Sequence, residues 1–132
     1  DYDAMKIFHA DDIHFEDPTA SEAFDSNVVY DGKEVVHNYF KNVFAGGFKK
    51  SKPPYVNFII GKVFSSGSFV VINSIFESVL PVSWFKQGST ETVLVAIPVV
   101  TILEFENGTI KRHTDYADYK NYRDQINAQL QP

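Results

Sequence analysis

The chain has 132 residues and a formal net charge of −5, which suits one domain and argues against nucleic acid or an anionic membrane surface as partner. It contains no cysteine, which excludes disulfides, thiolate metal sites and a cysteine nucleophile. Aromatic residues reach 15%, and such an excess of flat apolar side chains suits the walls of a pocket as well as a core.

Asp3 to Ala10 reads as the end of a helix, with Ala4, Ile7 and Phe8 at helical spacing and Asp11-Asp12 breaking the pattern. Ile13, Phe15 and Asp17 then alternate with His14 and Glu16 as a short strand that Pro18 ends. Thr19 to Asn27 lacks periodicity and reads as loop. From Lys33 to Phe44 the residues Val35, Val36, Tyr39, Phe40, Val43 and Phe44 form the stripe of an amphipathic helix, which Gly46-Gly47 should stop.

The rest is predicted to be β until near the end. Tyr55–Phe64 and Ser68–Leu80 make a hairpin about Ser65-Ser66-Gly67. A loop over Pro81–Ser89 carries Trp84 and Phe85, placed either over a pocket or, by preference, in an interface. Thr90–Glu106 is a long Val- and Ile-rich strand in which Pro98 marks a bulge or an edge. Asn107-Gly108 turns the chain into Thr109–Ala117, and Asp118 caps a last helix to Leu130. Helix, strand, helix and a four-stranded antiparallel meander is an α+β order in a single domain over 1–132. No run approaches the roughly 18 apolar residues of a membrane-spanning helix. No secretory leader opens the chain, so a cytoplasmic location is the default expectation.

Three motifs in order make the chain similar to a known group. Phe8-His9-Ala10-Asp11-Asp12, then Phe15-Glu16-Asp17-Pro18 and Ser21-Glu22, resembles the ketosteroid isomerase branch of the NTF2-like superfamily. Asp31-Gly32-Lys33-Glu34 with Tyr39-Phe40 resembles the next helix of those isomerases and of SnoaL-like polyketide cyclases. Phe105-Glu106-Asn107-Gly108-Thr109-Ile110 and His113-Thr114-Asp115-Tyr116-Ala117-Asp118 are similar to the last hairpin of the SnoaL-like and limonene-epoxide-hydrolase-like groups. The resemblance implies an NTF2-like (cystatin-like) cone: a curved antiparallel sheet packed against helices around a pocket. It also implies a first helix over the cone. This chain begins after it, so residues upstream of Asp1, or a partner over the mouth, are expected.

The resemblance places the isomerase general base on Asp17 and the epoxide-hydrolase acid on Asp115. Other parts are missing. The oxyanion-holding Tyr belongs to the absent helix, and the second oxyanion donor falls near Thr101. The hydrolase Arg and second Asp fall near Ile75 and Glu77, and its water-binding Tyr and Asn near Phe15 and Asp17. Neither a plain steroid isomerase nor an epoxide hydrolase is therefore expected.

Among the residues themselves, an Asp before Pro reads first as a turn residue bonding local backbone, and the resemblance raises the pocket-base reading to equal standing. His113 and Asp115 lie two apart on a strand and share a face, as a proton-transfer pair requires, yet Lys111 shares that face and a solvent-exposed side is the competing reading. A two-residue turn at Asn107-Gly108 sets Thr101 opposite Thr114. A three-residue loop sets Thr101 and Val99 opposite His113 and Asp115, and the resemblance favours that register. His9, His14 and His37 lack metal-ligand spacing, so no metal and no cofactor are expected.

The sequence thus points to cofactor-free acid–base chemistry of isomerase, dehydratase or cyclase type on a small apolar molecule. Asp17, Asp115 and His113 would be catalytic, and Phe15, Tyr39, Thr101 and Leu103 would contact the ligand. A non-catalytic ligand-binding or assembly domain is the alternative. A homodimer through the outer sheet face, with Ile72, Ile75, Val93 and Val95 as candidates, is expected because a one-layer sheet leaves an apolar face to cover.

Overall fold

The computed structural model describes residues 2–23, 26–45 and 53–131. A short helix α1 (Tyr2–Met5) and a 3-10 turn (Lys6–Phe8) lead into strand β1 (His9–Asp17). Asp11 and Asp12 do not end a helix. They lie in β1 where its pairing jumps from His9 opposite Ile110 to His14 opposite Arg112, and the exposed acids are met by Lys33 (3.3 Å) and Lys111. Beyond that irregularity Ile13, Phe15 and Asp17 point inward.

Strand β2 (Val28–Asp31) pairs antiparallel with the end of β1 and was not expected; four residues with one buried side chain, Val28, carry little periodic signal. Gly32, at φ +95°, turns the chain into helix α2 (Lys33–Ala45). The expected stop at Gly46-Gly47 lies outside the described residues. Val36 and Phe40 of α2 pack on Ile13, Phe15, Ala20 and Val28 to form one core.

The meander follows as β3 (Tyr55–Ser66), β4 (Phe69–Pro81), β5 (Thr92–Glu106) and β6 (Thr109–Ala117). The first hairpin turns at Gly67-Ser68, one residue later than expected, because Ser66 still pairs with Phe69. The β3–β4 ladder slips between Ile60 and Val63. There the Gly61 backbone approaches so closely that an added Cβ would sit 3.1 Å from the Asn73 carbonyl oxygen. β6 pairs antiparallel with β5 but parallel with β1, giving the order β2-β1-β6-β5-β4-β3, so the curved sheet is mixed rather than wholly antiparallel.

Pro98 makes no bulge against β4, where the register runs unbroken from Thr92 to Glu104. It marks an edge instead. At Pro98 strand β6 leaves the sheet, and the Pro98 carbonyl accepts from Asp118 N–H (3.4 Å). Helix α3 (Tyr119–Leu130), capped by Asp118 onto Asn121 N–H, then runs back along the bare edge of β5. Gln125 accepts from Ala96 N–H (2.9 Å) and donates to the Ala96 carbonyl (2.8 Å). Gln129 does the same for Leu94 (3.0 and 2.6 Å), so two side chains take the place of a neighbouring strand. Ile126 packs on Leu80, Val82, Val93 and Val95 in a second core. Val93 and Val95 are therefore fully inward, and Ile72, opposite Thr101, is half-buried on the same concave side. Only Ile75 of the four expected interface residues is exposed outward, with Leu94, Val100 and Tyr116 beside it.

Candidate functional site

Residues of both cores line a cavity of about 750 Å³. Its wall takes Phe15 and Asp17 from β1, Tyr39 from α2, Phe58 and Phe76 from the β3–β4 hairpin, and Asp115 from β6. Trp84 and Phe85 line it too, so this loop covers the pocket. Tyr119, Tyr122 and Arg123 of α3 complete that side.

Asp17 is 5% exposed and fully engaged. Its Oδ1 accepts from Thr19 N–H (3.0 Å) and Thr19 Oγ1 (2.6 Å), the local turn bonding that an Asp before Pro provides. Its Oδ2 accepts from the Tyr119 hydroxyl at 2.5 Å. Thr19 in turn accepts from Ala117 N–H at 2.9 Å, so one carboxylate ties together the ends of β1, β6 and α3. The sequence offered Tyr119 only as part of a helical stripe; its bond to Asp17 spans 102 positions and no local signal announces it.

Asp115 is held differently. Thr101 directly opposite donates to its Oδ1 at 2.6 Å, and His113 Nε2 lies 2.9 Å from the same oxygen, while among the described residues no hydrogen bond reaches Oδ2. The imidazole is itself fixed, edge-on to Phe15 (5.0 Å between ring centres) and stacked on Phe40 (5.4 Å). Thr101 and His113 thus stand behind Asp115 and are not in the cavity wall, nor is Leu103, which pairs opposite His113. Thr101 has its hydroxyl committed and is not available as an oxyanion donor.

The register that brings these groups together is neither of the two weighed from sequence. The turn is two-residue, with Asn107 at φ 52° and Gly108 at φ 79°, but the ladder then slips between Glu104 and Phe105, leaving Lys111 as an extra residue in β6. Thr101 consequently faces Asp115 and Leu103 faces His113.

Two phenols stand near the carboxylates. Burial pushes the Tyr39 hydroxyl well above the usual tyrosine range, with the Asp17 and Asp115 charges adding to the shift. Tyr119 is raised by burial, then by its hydrogen bond to Asp17. Both remain neutral donors at ordinary pH. Among the described residues no group of three or more His, Asp or Glu side chains converges to hold a metal, and no helix is long and apolar enough to cross a membrane.

The sequence profile of the SnoaL-like domain matches residues 1–113. In structure the chain is similar to a candidate SnoaL-like polyketide cyclase of Shewanella putrefaciens CN-32, at 27% identity and a TM-score of 0.75 over 97% of this chain and 85% of that one. A second such protein, from Shewanella denitrificans OS-217, gives 25% identity and a TM-score of 0.76 over 98% and 87%. A protein of Catenulispora acidiphila DSM 44928 with a ketosteroid isomerase-like fold, bound to trimethylamine, shares the fold at 17% identity and a TM-score of 0.68, over 99% and 87%. No curated protein sequence matches the chain.

Proposed function

This chain belongs to the SnoaL-like family, and from that premise we propose that its cavity takes up a small, largely apolar molecule and moves a proton on it without a cofactor. One observation carries the reading: Asp115 lines an aromatic cavity with one carboxylate oxygen pinned by Thr101 and His113 and the other left for a substrate. A carboxylate oriented in that way suits removal of a proton next to a carbonyl. Tyr39, kept neutral by burial, is the cavity group suited to donate a hydrogen bond to the oxygen where charge then develops. Return of the proton at another carbon gives an isomerase; closure of a ring or loss of water gives a cyclase or dehydratase.

Asp17, with all three of its hydrogen bonds satisfied inside the protein, supports the reading as an anchor for Tyr119 more than as the base. That same saturation, and the absence of the isomerase oxyanion donor at Thr101 and of the epoxide-hydrolase Arg at Ile75, favours the second reading, a cavity that binds without turnover. Proton–deuterium exchange at the α-carbon of 2-tetralone, followed by NMR, separates the two. Asp115→Asn should slow exchange by about 100- to 10,000-fold with the fold retained. Wild-type exchange no faster than that of Asp115→Asn would leave the binding reading in its place.

The outer sheet face bears on assembly. Ile59, Phe64, Ile75, Leu94, Val100 and Tyr116 are all exposed, and we assign this face to a second copy of the chain.

A further inference from the structure

Among the described residues the cavity wall is electrically one-sided. Two carboxylates, Asp17 and Asp115, face it, and among the described residues neither has a Lys or Arg ion-pair partner. Their negative ends are met only by hydroxyls, a backbone N–H and one imidazole. Among the described residues the single cation in the wall is Arg123, which is half exposed and lies 3.6 Å from Glu22. Around the carboxylates the wall presents the rings of Phe15, Tyr30, Tyr39 and Tyr119, with Phe58 and Trp84 across from them on the hairpin and its following loop. An aromatic face carries the negative part of the ring quadrupole and attracts a cation, more strongly once water is removed.

We infer that the ligand of this cavity carries a cationic nitrogen, a protonated amine or a quaternary ammonium on an apolar body, set among these rings beside the two carboxylates. The inference deepens the proposed function by naming the ligand class; it rests on the binding half of that reading and not on turnover. The behaviour of the phenols agrees with it. Burial is the main cause that raises Tyr39 and Tyr119, and it opposes a charge of either sign; the Asp17 and Asp115 charges add to both shifts, and only that part favours a positive group. The net charge of −5 brings cations toward the molecule from a distance. A neutral ligand of the same shape would gain the apolar contact and nothing from the carboxylates.

Trp84 is the only tryptophan and lines the cavity, so its fluorescence reports occupancy directly. The full chain is titrated with benzyltrimethylammonium, with its neutral carbon isostere neopentylbenzene, and with phenylacetate. The cation should bind at least roughly tenfold more tightly than the isostere, and phenylacetate weakest of the three. Asp115→Asn should reduce the cation's affinity several-fold and leave the isostere's unchanged, and the wild-type comparison decides the matter even where the variant does not fold. If the isostere or phenylacetate binds as tightly as the cation, the charge inference is overturned and cavity binding stands. If none of the three changes the Trp84 signal, the binding reading falls and this inference with it.

Discussion

Replacing Asp17 by Asn tests whether that carboxylate is an anchor. The side chain is 5% exposed, so water cannot take over the bonds it loses. Asn keeps one carbonyl oxygen for Thr19 but turns an NH2 group toward either the Tyr119 hydroxyl or Thr19, each of which is already a donor. A hydrogen bond to a charged group contributes about 1.5–3 kcal/mol net, so Tyr119→Phe, which deletes one, should cost about that much. Asp17→Asn disturbs two to three bonds and should cost about 2–4 kcal/mol, short of their sum because Asn retains one acceptor. The double variant should show a coupling of about 1–3 kcal/mol, since both changes break one contact. Urea unfolding followed by Trp84 fluorescence measures all four stabilities. Asp17→Asn within about 0.5 kcal/mol of wild type, with no coupling to Tyr119→Phe, would refute the anchoring argument and return Asp17 to candidacy as the base.

Other expectations follow from the same structure. Gln125→Ala with Gln129→Ala uncovers the N–H and carbonyl groups of Leu94 and Ala96; it should lower stability by about 1–3 kcal/mol and raise self-association seen by light scattering. Burial lowers the His9 pKa, with His113, Lys33 and His37 adding to it, and its Nδ1 has no hydrogen-bond partner among the described residues. The folded chain thus keeps His9 neutral while the unfolded chain takes a proton as pH falls below about 6.5, so stability present above that pH should drain away at up to about 1.4 kcal/mol per unit. His9→Leu should flatten that slope in urea melts between pH 7 and 5. Tyr39, Tyr119 and Tyr122 are all raised by burial, so their phenolate absorbance should appear only as the protein unfolds in alkali, and the stability tied to them is present below about pH 10 and lost above it. Sedimentation should find a dimer at micromolar concentration, and Leu94→Glu with Val100→Glu should give a monomer; a wild-type monomer would remove the outer-face assignment.

Elements with strong periodicity were legible. The stripe Val36, Tyr39, Phe40 gave α2, and the alternation Ile13, Phe15, Asp17 gave the inward face of β1. Asp118 as a cap followed from its place before an amphipathic run and is seen on Asn121. What stayed hidden depended on partners far along the chain. Two adjacent acids at Asp11-Asp12 read as a helix end because the lysines that make them tolerable in a strand irregularity lie at 33 and 111. The inward turn of Val93 and Val95 is set by Ile126 of α3, which no window over β5 contains. Gln125 and Gln129 are ordinary helix residues until the bare edge of β5 is placed beside them.

The candidate site itself turns on one residue that carries no chemistry. In a strand a slip of one position sends every side chain to the opposite face. The two-residue turn at Asn107-Gly108, continued without a break, would set Thr114 opposite Thr101 and turn Thr114 and Tyr116 into the cone, with Asp115 and His113 outside. The extra residue Lys111 reverses that parity, and Asp12 holds it in place through an ion pair. Three inward residues of β5 at 99, 101 and 103 then face Ala117, Asp115 and His113. The resemblance anticipated the correct face by way of a three-residue loop, which has the same parity by a different route. Geometry this sensitive to one insertion ties Asp115, Thr101 and His113 together as a unit. Their contacts arise from a single register, and the irregularity at Lys111 therefore belongs to the site as much as the carboxylate it turns inward.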